Sequence, residues 1–429
     1  MKRVLAILVL VVVAALAQQW EFQQVDSGRG NGLLQIRRGG NATYLGYVGS
    51  AEQIRLARKD SVWTYDDLDK SLVVPNFSLA VSPDGEPAVA GMDTGYRPIL
   101  VQLTDTGWNA IWWGVRGPYD PMARVAFTPE RTAMVAYCLN FFTSGGIVVE
   151  TRIDTTWYPD TAAWYVPSPP YECELTLYDL DCDSSGNPLI LYRSASGFPG
   201  PGMPPWSFAV IRGNRSGDGW TLMTLGGGYN TYVYGYDITA SRDGAPCAAY
   251  YVSGYLRCEQ DSVWPELAFD AAVQVDSQGR RHVAFVSPDS TLHYAYKTGF
   301  WHVSAVPTGQ KAIGCDLVLD ELGEPLIAYS TADGVWLAHG VDIVGQSEEP
   351  QTPTADGPRL AASVVRNVLF QPAGYEKRDG RTALLDVSGR AILSLHPGPN
   401  DVGRLAPGVY FVQEAQAQAQ AVRKVVITR

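Results

Sequence analysis

Aromatic residues are concentrated in five stretches of this sequence that are also rich in glycine, proline and serine. The stretches cover residues 111–121, 140–146, 158–174, 194–206 and 226–234. A flat ring that exposes one face offers a large contact area at little cost in side-chain entropy, which suits a sugar or an apolar peptide segment. The candidate ligand-binding residues are Trp112, Trp113, Tyr119, Phe142, Trp164, Tyr165, Phe198, Trp206 and Tyr229. The alternative is that these rings only pack against their own loops.

Three aspartates form a second candidate set, because each stands seven residues before the turn glycine of a repeated segment. They are Asp179, Asp237 and Asp316, and other copies hold Ser78, Arg124 and Ala272 at this position. In a ring of repeats, equal positions converge on a central channel, where carboxylates could bind a cation such as Ca²⁺ or a polar ligand. The other interpretation is that they cap turns or hydrate the channel. We predict no cofactor and no resident metal.

Common catalytic patterns are absent from the sequence, which has no G-x-S-x-G, no H-E-x-x-H and no cysteine pair at zinc-site spacing. His282, His293 and His302 fall on successive predicted strands, but the hairpin register pairs His282 with Tyr296 and does not assemble a triad. A glycosidase would need two carboxylates across a bound sugar. The loop acids that could supply such a pair are Asp120, Asp160, Glu172 and Glu174.

A repeated unit carries these residues, and its best copy runs over residues 271–306. Four short apolar runs, rich in Val, Tyr and Phe and separated by turn residues, predict four antiparallel strands. A turn of the form D/S-x-x-G followed by Pro recurs before the second strand, and a Trp recurs at the start of the fourth. The Trp markers are Trp20, Trp63, Trp108, Trp157, Trp220, Trp264 and Trp301. Such a period indicates a repeat architecture.

The two incomplete copies indicate how the repeats are arranged. Trp20 begins a fourth strand that has no first three, and residues 315–340 supply three strands with no fourth. A ring explains both, because the N-terminal strand then completes the last sheet and leaves no free edge. We therefore predict an all-β fold, a seven-bladed β-propeller over residues 18–344. A linear stack is the alternative and would need caps at both ends.

The polarity of the strands separates two faces of such a propeller. Tight turns follow the first and third strands of each blade on one face, which we call the turn face. The aromatic stretches follow the second and fourth strands on the other, which we call the loop face. Variable loops on a rigid scaffold often carry function, so the loop face is the predicted ligand face.

The N-terminus and the composition suggest an exported protein. Residues 1–17 have a basic start, an apolar run of about a dozen residues and a small-residue cleavage site, which is typical of a secretory signal peptide; we expect no membrane span after cleavage. A net charge of −11 argues against nucleic acid as a partner. Six cysteines permit disulfides, with Cys247–Cys258 and Cys173–Cys182 as candidate pairs that the sequence leaves open.

A polar, proline-containing linker over residues 345–358 separates the propeller from a smaller module, residues 359–429, with strand-like segments that predict a small antiparallel β-sandwich. The module contains LLDVSGRAIL, NDVGRLAPGVYFV and a terminal RKVVITR. In these motifs it resembles the type A C-terminal sorting domain of the type IX (Por) secretion system. The residues that carry the resemblance are Asp386, Gly389, Gly408, Tyr410 and Lys424. An ordinary β-sandwich appendage is the alternative.

The resemblance implies that the type IX machinery is a partner and that the protein is secreted or held at the outer cell surface. The repeat is also similar to units of bacterial secreted propeller proteins, which implies the fold alone. Together these features predict a binding or adhesion module for a glycan or protein ligand. A carbohydrate-active hydrolase or lyase that uses loop carboxylates is the alternative, and a purely structural surface protein is a third possibility.

Overall fold

A computed structural model describes the protein over the following residues, to which all structural statements below refer. In the first part of the chain they are 19–28, 32–49, 52–69, 76–93, 95, 97–104, 107–112, 119–141, 144–166, 172–197, 207–217, 219–229, 233–341 and 343. In the second part they are 363–365, 368–371, 383–386, 390–396, 398–415 and 420–427. The chain divides into two compact units, Met1–Gln346 and Ser347–Arg429.

All regular elements described in the first unit are β-strands. In chain order their bounds are β1 Gln19–Asp26, β2 Leu34–Gly39, β3 Ala42–Val48, β4 Ile54–Lys59, β5 Trp63–Asp67, β6 Ser78–Val81, β7 Pro87–Met92, β8 Pro98–Thr104, β9 Gly107–Trp112, β10 Tyr119–Phe127, β11 Ala133–Phe141, β12 Ser144–Ile153, β13 Thr156–Tyr165, β14 Glu172–Cys182, β15 Pro188–Gly197, β16 Ser207–Ser216, β17 Gly219–Tyr229, β18 Val233–Ala240, β19 Pro246–Val252, β20 Tyr255–Cys258, β21 Asp261–Trp264, β22 Asp270–Val275, β23 Arg281–Val286, β24 Leu292–Lys297, β25 Trp301–Ala305, β26 Gly314–Leu319, β27 Pro325–Thr331 and β28 Gly334–Val341.

These strands form seven four-stranded sheets within the described part of the unit. Six are meanders of consecutive strands, and the seventh is β26–β28 completed by β1, in which Trp20 lies opposite Gly340. The first strand of each sheet contacts the first strand of the next, and β26 contacts β2. The ring is therefore closed by the N-terminal strand, and the all-β propeller prediction is confirmed.

The recurrent D/S-x-x-G turns have a common backbone geometry on the turn face. In each, the glycine amide donates to the carbonyl of the first turn residue, as Gly85 does to Ser82 and Gly186 to Asp183, at 2.8 and 2.9 Å. The turn glycines have φ near +80°, a region that residues with a side chain rarely adopt. In the copy that lacks this glycine, Arg131 takes its place with φ +71°. The turn chemistry therefore follows directly from the sequence.

The Trp markers pack between neighbouring sheets. Trp108 contacts a buried cluster that includes Tyr44, Leu56 and Leu79, from the sheets on either side of the β2–β6 boundary. Trp20 lies in the equivalent position at the closure of the ring, with its ring centroid 5.8 Å from that of Tyr294. The predicted register was wrong for one copy, because Trp264 ends β21 rather than opening it. A register irregularity between Leu256 and Arg257 displaces it.

The second unit is a smaller all-β body. Its strands are β29 Ser363–Val365, β30 Val368–Gln371, β31 Ala383–Leu385, β32 Ala391–Ser394, β33 Gly398–Asp401, β34 Gly408–Ala415 and β35 Gln420–Ile427. They form a five-stranded sheet in the order β29-β35-β34-β31-β32 and a two-stranded sheet of β30 and β33. A small core of Leu384, Leu395, Val402, Val412 and Ile427 holds it together. The sheet is not wholly antiparallel as predicted, since β29 pairs in parallel with β35.

Candidate functional site

Two aromatic side chains, Phe141 and Trp164, lie side by side at the loop face, at the ends of β11 and β13. Phe141 is 42% exposed, Trp164 52% and Tyr165 41%. The ring centroids of Phe141 and Trp164 are 6.3 Å apart, with the planes tilted by 46°. We call Phe141 and Trp164 the aromatic ledge. Tyr165 follows Trp164 directly in β13, so its side chain points to the other side of the sheet. Exposed rings that contact each other offer a continuous apolar surface to a ligand.

A glycine in the neighbouring strand allows Trp164 to lie against the sheet. Gly146 of β12 pairs with Trp164, and a Cβ atom added at Gly146 would lie 2.4 Å from the indole Cε3 atom. Any other residue there would push the indole away. Gly146, in the second aromatic stretch, therefore positions the indole of the ledge, and this role was not recognised from the sequence.

The structure brings together only part of the predicted aromatic set. Trp164 belongs to the ledge, where Phe141 contacts it. Tyr165 is exposed at the same end of β13 but on the other side of the sheet. Trp112, Tyr119 and Tyr229 end or begin strands at this face, but nothing is described of their side chains. The other four, Trp113, Phe142, Phe198 and Trp206, lie outside the described residues.

The three predicted channel aspartates lie on the innermost strands and join neighbouring sheets. Asp179 accepts a hydrogen bond from the amide of Ile238 at 3.1 Å, and Asp237 accepts one from Val273 at 2.7 Å. Asp316 accepts one from Ile36 at 2.8 Å, across the closure of the ring. Each carboxylate thus satisfies a main-chain donor of the next innermost strand.

The same connection recurs around the whole channel with different side chains. Gln35 accepts from Leu79, Ser78 accepts from Val125, and Arg124 donates to the carbonyl of Tyr178. In the remaining sheet the equivalent Ala272 cannot do this. Asp270, two residues earlier, accepts from Cys315 at 3.0 Å instead. We call these seven contacts the latch ring. Asp270 and Gln35 were not predicted from the sequence. The prediction compared only residues at the same position of each repeat, and Asp270 lies two residues before that position.

Burial makes the channel electrostatically unusual. Burial and the neighbouring Asp179 raise the pKa of Asp237 well above its ordinary value. Burial also raises the pKa of Asp181 to about 6 and that of Asp270 to about 7. A charged carboxylate is poorly solvated there, so these groups bind protons more tightly than in water.

Arg37 compensates part of this acidity. Its guanidinium lies 2.7 Å from Asp316. Burial alone would lower the pKa of Arg37, but the charges of Asp316 and Asp237 outweigh it and raise that pKa. Burial raises the pKa of Asp316 as well, although the Arg37 charge opposes this rise. The positive charge of Arg37 and the negative charge of Asp316 therefore stabilise each other inside the channel.

Two cavities meet at this layer of charges. One of about 460 Å³ extends towards the turn face and is lined by Asp181, Thr239 and Gln274 among others. One of about 160 Å³ lies towards the loop face, where Asn76 and Met122 line it. Arg37, Asp179 and Asp237 line both. Within the described residues no group of three or more His, Cys, Asp or Glu side chains is arranged to hold a metal ion.

Two of the loop acids considered for catalysis are held in ion pairs. Asp160 accepts from Arg215 at 2.5 Å and from the indole of Trp220 at 3.1 Å. Glu174 pairs with Arg193 at 3.0 Å. Glu172 is half-buried at the start of β14, and the Asp120 side chain is not described. The structure thus shows no pair of free, facing carboxylates among the loop acids whose side chains it describes.

The histidines are structural where they are buried. His282 lies opposite Tyr296, as the hairpin register predicted. Its Nδ1 atom is 2.6 Å from the Tyr294 hydroxyl and its Nε2 atom 3.2 Å from Asp276. His293 stacks on Phe285, with ring centroids 4.9 Å apart. No catalytic arrangement follows from these contacts.

The tail residues that carried the resemblance lie in the sheet and turns of the second unit. Asp386 closes a turn, because its carboxylate accepts from the Arg390 amide at 3.1 Å. Gly408 begins β34, and the Tyr410 hydroxyl donates to the carbonyl of Ala406 at 2.8 Å. Lys424 lies in β35, and Gly389 is outside the described residues.

No helix of sufficient length and hydrophobicity to traverse a bilayer occurs in the described part of the chain. No family model matches the chain, its tail included, and no curated protein matches its sequence.

Solved structures resemble the chain in fold. An ulvan lyase of polysaccharide lyase family PL25 superposes with a TM-score of 0.52 at 10% identity, over 73% of this chain and 95% of its own. The same kind of lyase bound to -[GlcA(1-4)Rha3S]- gives 0.51 at 11% identity, with the same coverage. The β-propeller domain of Cps50 (Swd1) from Myceliophteria thermophila gives 0.45 at 15% identity, over 76% of this chain and all of its own. At such identities the likeness concerns the fold alone, and the protein is a β-propeller.

Proposed function

We propose that this protein is an exported binding or adhesion module that recognises a glycan on the loop face of its propeller. The observation that supports it is the aromatic ledge. Two exposed rings, Phe141 and Trp164, lie together at one edge of a rigid scaffold, and Gly146 leaves room for the indole. An aromatic ring held in place on a rigid strand can stack on the apolar face of a sugar ring.

The charge of the protein narrows the class of glycan. A net charge of −11 repels polyanionic chains at the ionic strengths of most environments. We therefore expect a neutral polysaccharide rather than a sulfated or uronic acid polymer such as the substrate in the lyase structure. A protein ligand with an exposed apolar segment is the alternative class.

Binding is better supported than catalysis. Hydrolysis or elimination requires acid and base groups that face a substrate, and Asp160 and Glu174 are instead neutralised by arginines. The carboxyls with raised pKa values lie within the latch ring and the channel, where they hold sheets together. The hydrolase or lyase interpretation is therefore the weaker of the two.

Both chain ends of the described propeller lie on the face opposite the ledge, since Gln19 and Val341 pair at the turn-face end of β1 and β28. We further propose that residues 1–17 are a cleaved signal and that the second unit is a type IX sorting domain. The support is the motif series in the tail and the Asp386 turn. Delivery by this route would place the protein in the medium or at the outer cell surface.

The test is a glycan array probed with the full-length protein and two single variants. Trp164→Ala removes the larger and more exposed ring of the ledge. Tyr158→Ala is the matched control, because Tyr158 lies on the same strand with a similar exposure, 53% against 52%. We expect Trp164→Ala to weaken binding to a neutral glycan at least tenfold, about 1.4 kcal/mol, and Tyr158→Ala to leave it unchanged.

Equal binding by the wild type and Trp164→Ala would exclude the ledge as the site. Absence of binding to every glycan would remove this ligand class. New reducing ends or unsaturated sugars released from a bound glycan would instead support the enzyme alternative.

A further inference from the structure

Two buried thiols face each other inside the fifth sheet, β18–β21. The Sγ atoms of Cys247 on β19 and Cys258 on β20 are 3.2 Å apart. Their residues are 2% and 0% exposed. Cys258 pairs in the ladder with Ala249, so the two cysteines are diagonal neighbours on one side of adjacent strands.

The backbone around this pair is fixed by several contacts. Glu259, which follows Cys258, has φ +54°, and its amide donates to the carbonyl of Ala248. Its carboxylate accepts from the Ala248 amide at 2.8 Å and from Arg212 at 2.5 Å. The Tyr250 hydroxyl donates to the Glu259 carbonyl at 2.6 Å. Cys258 therefore cannot shift along the strand without breaking these contacts.

A disulfide between Cys247 and Cys258 would stabilise a part of the sheet in which the strands are short. β20 and β21 have four residues each, whereas β16 and β17 of the preceding sheet have 10 and 11. Short strands contribute few ladder hydrogen bonds. The thiols also lie in the hydrophobic cluster that joins this sheet to the next, with Leu256 and Phe285.

We propose that Cys247 and Cys258 form a disulfide when the protein folds in an oxidising medium. The oxidant is a disulfide, either of a small molecule or of a thiol oxidoreductase. One protein thiolate attacks the oxidant, releases one thiol and leaves a mixed disulfide. The second thiolate attacks the protein sulfur of that bond and releases the other thiol. Two electrons pass from the cysteines to the oxidant, and two protons end on the released thiols.

The burial of the two thiols determines at which stage of folding the disulfide forms. Hydrogen bonding to Cys247 and burial raise the pKa of the Cys258 thiol. The thiolate is the reactive form, so the packed, reduced pair reacts slowly. The disulfide forms while β19 and β20 are pairing and before the cluster excludes the oxidant. Oxidant added to the folded, reduced protein is expected to act far more slowly than oxidant present during refolding.

The test compares the full-length wild type with the variants Cys247→Ala and Cys315→Ala, each refolded in a mixture of reduced and oxidised glutathione. After denaturation, free thiols are alkylated and peptides are mapped by mass spectrometry without reduction. We expect a linked peptide that contains Cys247 and Cys258, and its persistence in Cys315→Ala, which removes another buried cysteine. We also expect reduction to lower the Tm of the wild type by at least about 2 °C and to leave that of Cys247→Ala unchanged.

Alkylation of both Cys247 and Cys258 after oxidative refolding would overturn the proposal, as would a link from either one to a different cysteine. The peptide map of the wild type tests the Cys247–Cys258 disulfide even if the Cys247→Ala variant fails to fold. Because refolding is carried out in vitro, the result does not depend on the proposed export or glycan binding.

Discussion

Two markers of the repeat, Trp108 and Trp220, provide a matched test of what holds neighbouring sheets together. Each is the second residue of the fourth strand of its sheet and follows a glycine. The indole N–H of Trp220 donates to Asp160 at 3.1 Å. That of Trp108 is buried and has no acceptor among the described residues. Replacement by phenylalanine removes a similar apolar area at both positions. At Trp220 it also removes a hydrogen bond, whereas at Trp108 it removes a buried N–H group that has no acceptor among the described residues.

The expected difference follows from the two hydrogen-bonding states. A hydrogen bond to a charged group contributes about 1.5–3 kcal/mol when buried. The Asp160 side chain is 40% exposed and stays paired with Arg215, so we expect Trp220→Phe to lose only about 1 kcal/mol through this contact. A buried donor with no partner costs about 1–3 kcal/mol. Trp108→Phe removes that cost, so it should be the more stable variant by about 2–4 kcal/mol.

The assay is urea unfolding of both variants, followed by tryptophan fluorescence and by circular dichroism to check that the transitions coincide. The Asp160→Asn variant is the control, since it should reduce the penalty of Trp220→Phe and leave that of Trp108→Phe unchanged. Equal unfolding free energies for the two phenylalanine variants, within about 0.5 kcal/mol, would refute the reasoning that the N–H group decides the difference.

Two further outcomes are expected. Because the folded-state pKa of Asp270 is raised from 3.8 to about 7, its contribution to stability is complete below about pH 4 and is lost as the pH rises through 7. Asp270→Asn, which keeps an acceptor but cannot ionise, should therefore flatten the dependence of urea midpoints on pH between 5 and 8, and an unchanged slope would contradict the assignment. A reporter fused to residues 359–429 should reach the medium or surface of a bacterium that has a type IX system and stay in the periplasm when Tyr410 is replaced by alanine; surface delivery independent of the tail would exclude a sorting role.

Much of the fold could be predicted because the repeat is local. The turn glycines, the strand-length apolar runs and the marker tryptophans act within about 36 residues. The incomplete first and last copies predicted closure of the ring, which the pairing of β1 with β28 confirms. Irregular pairing was not predictable, as the displaced Trp264 shows, because the irregularity at Leu256 and Arg257 leaves no periodic signal.

The candidate site, like the fold, could be predicted only in part from the sequence. The sequence alone predicted that the aromatic stretches follow the second and fourth strands of the sheets, and it determined that Asp179, Asp237 and Asp316 occupy equal positions in the repeat. Only the tertiary structure decided which aromatic residues, Phe141 and Trp164, meet as a ledge. It also decided that the aspartates bind main-chain amides of the next sheet, since a hydrogen-bond partner hundreds of residues away, such as Ile36 for Asp316, is set by closure of the ring and not by any local pattern.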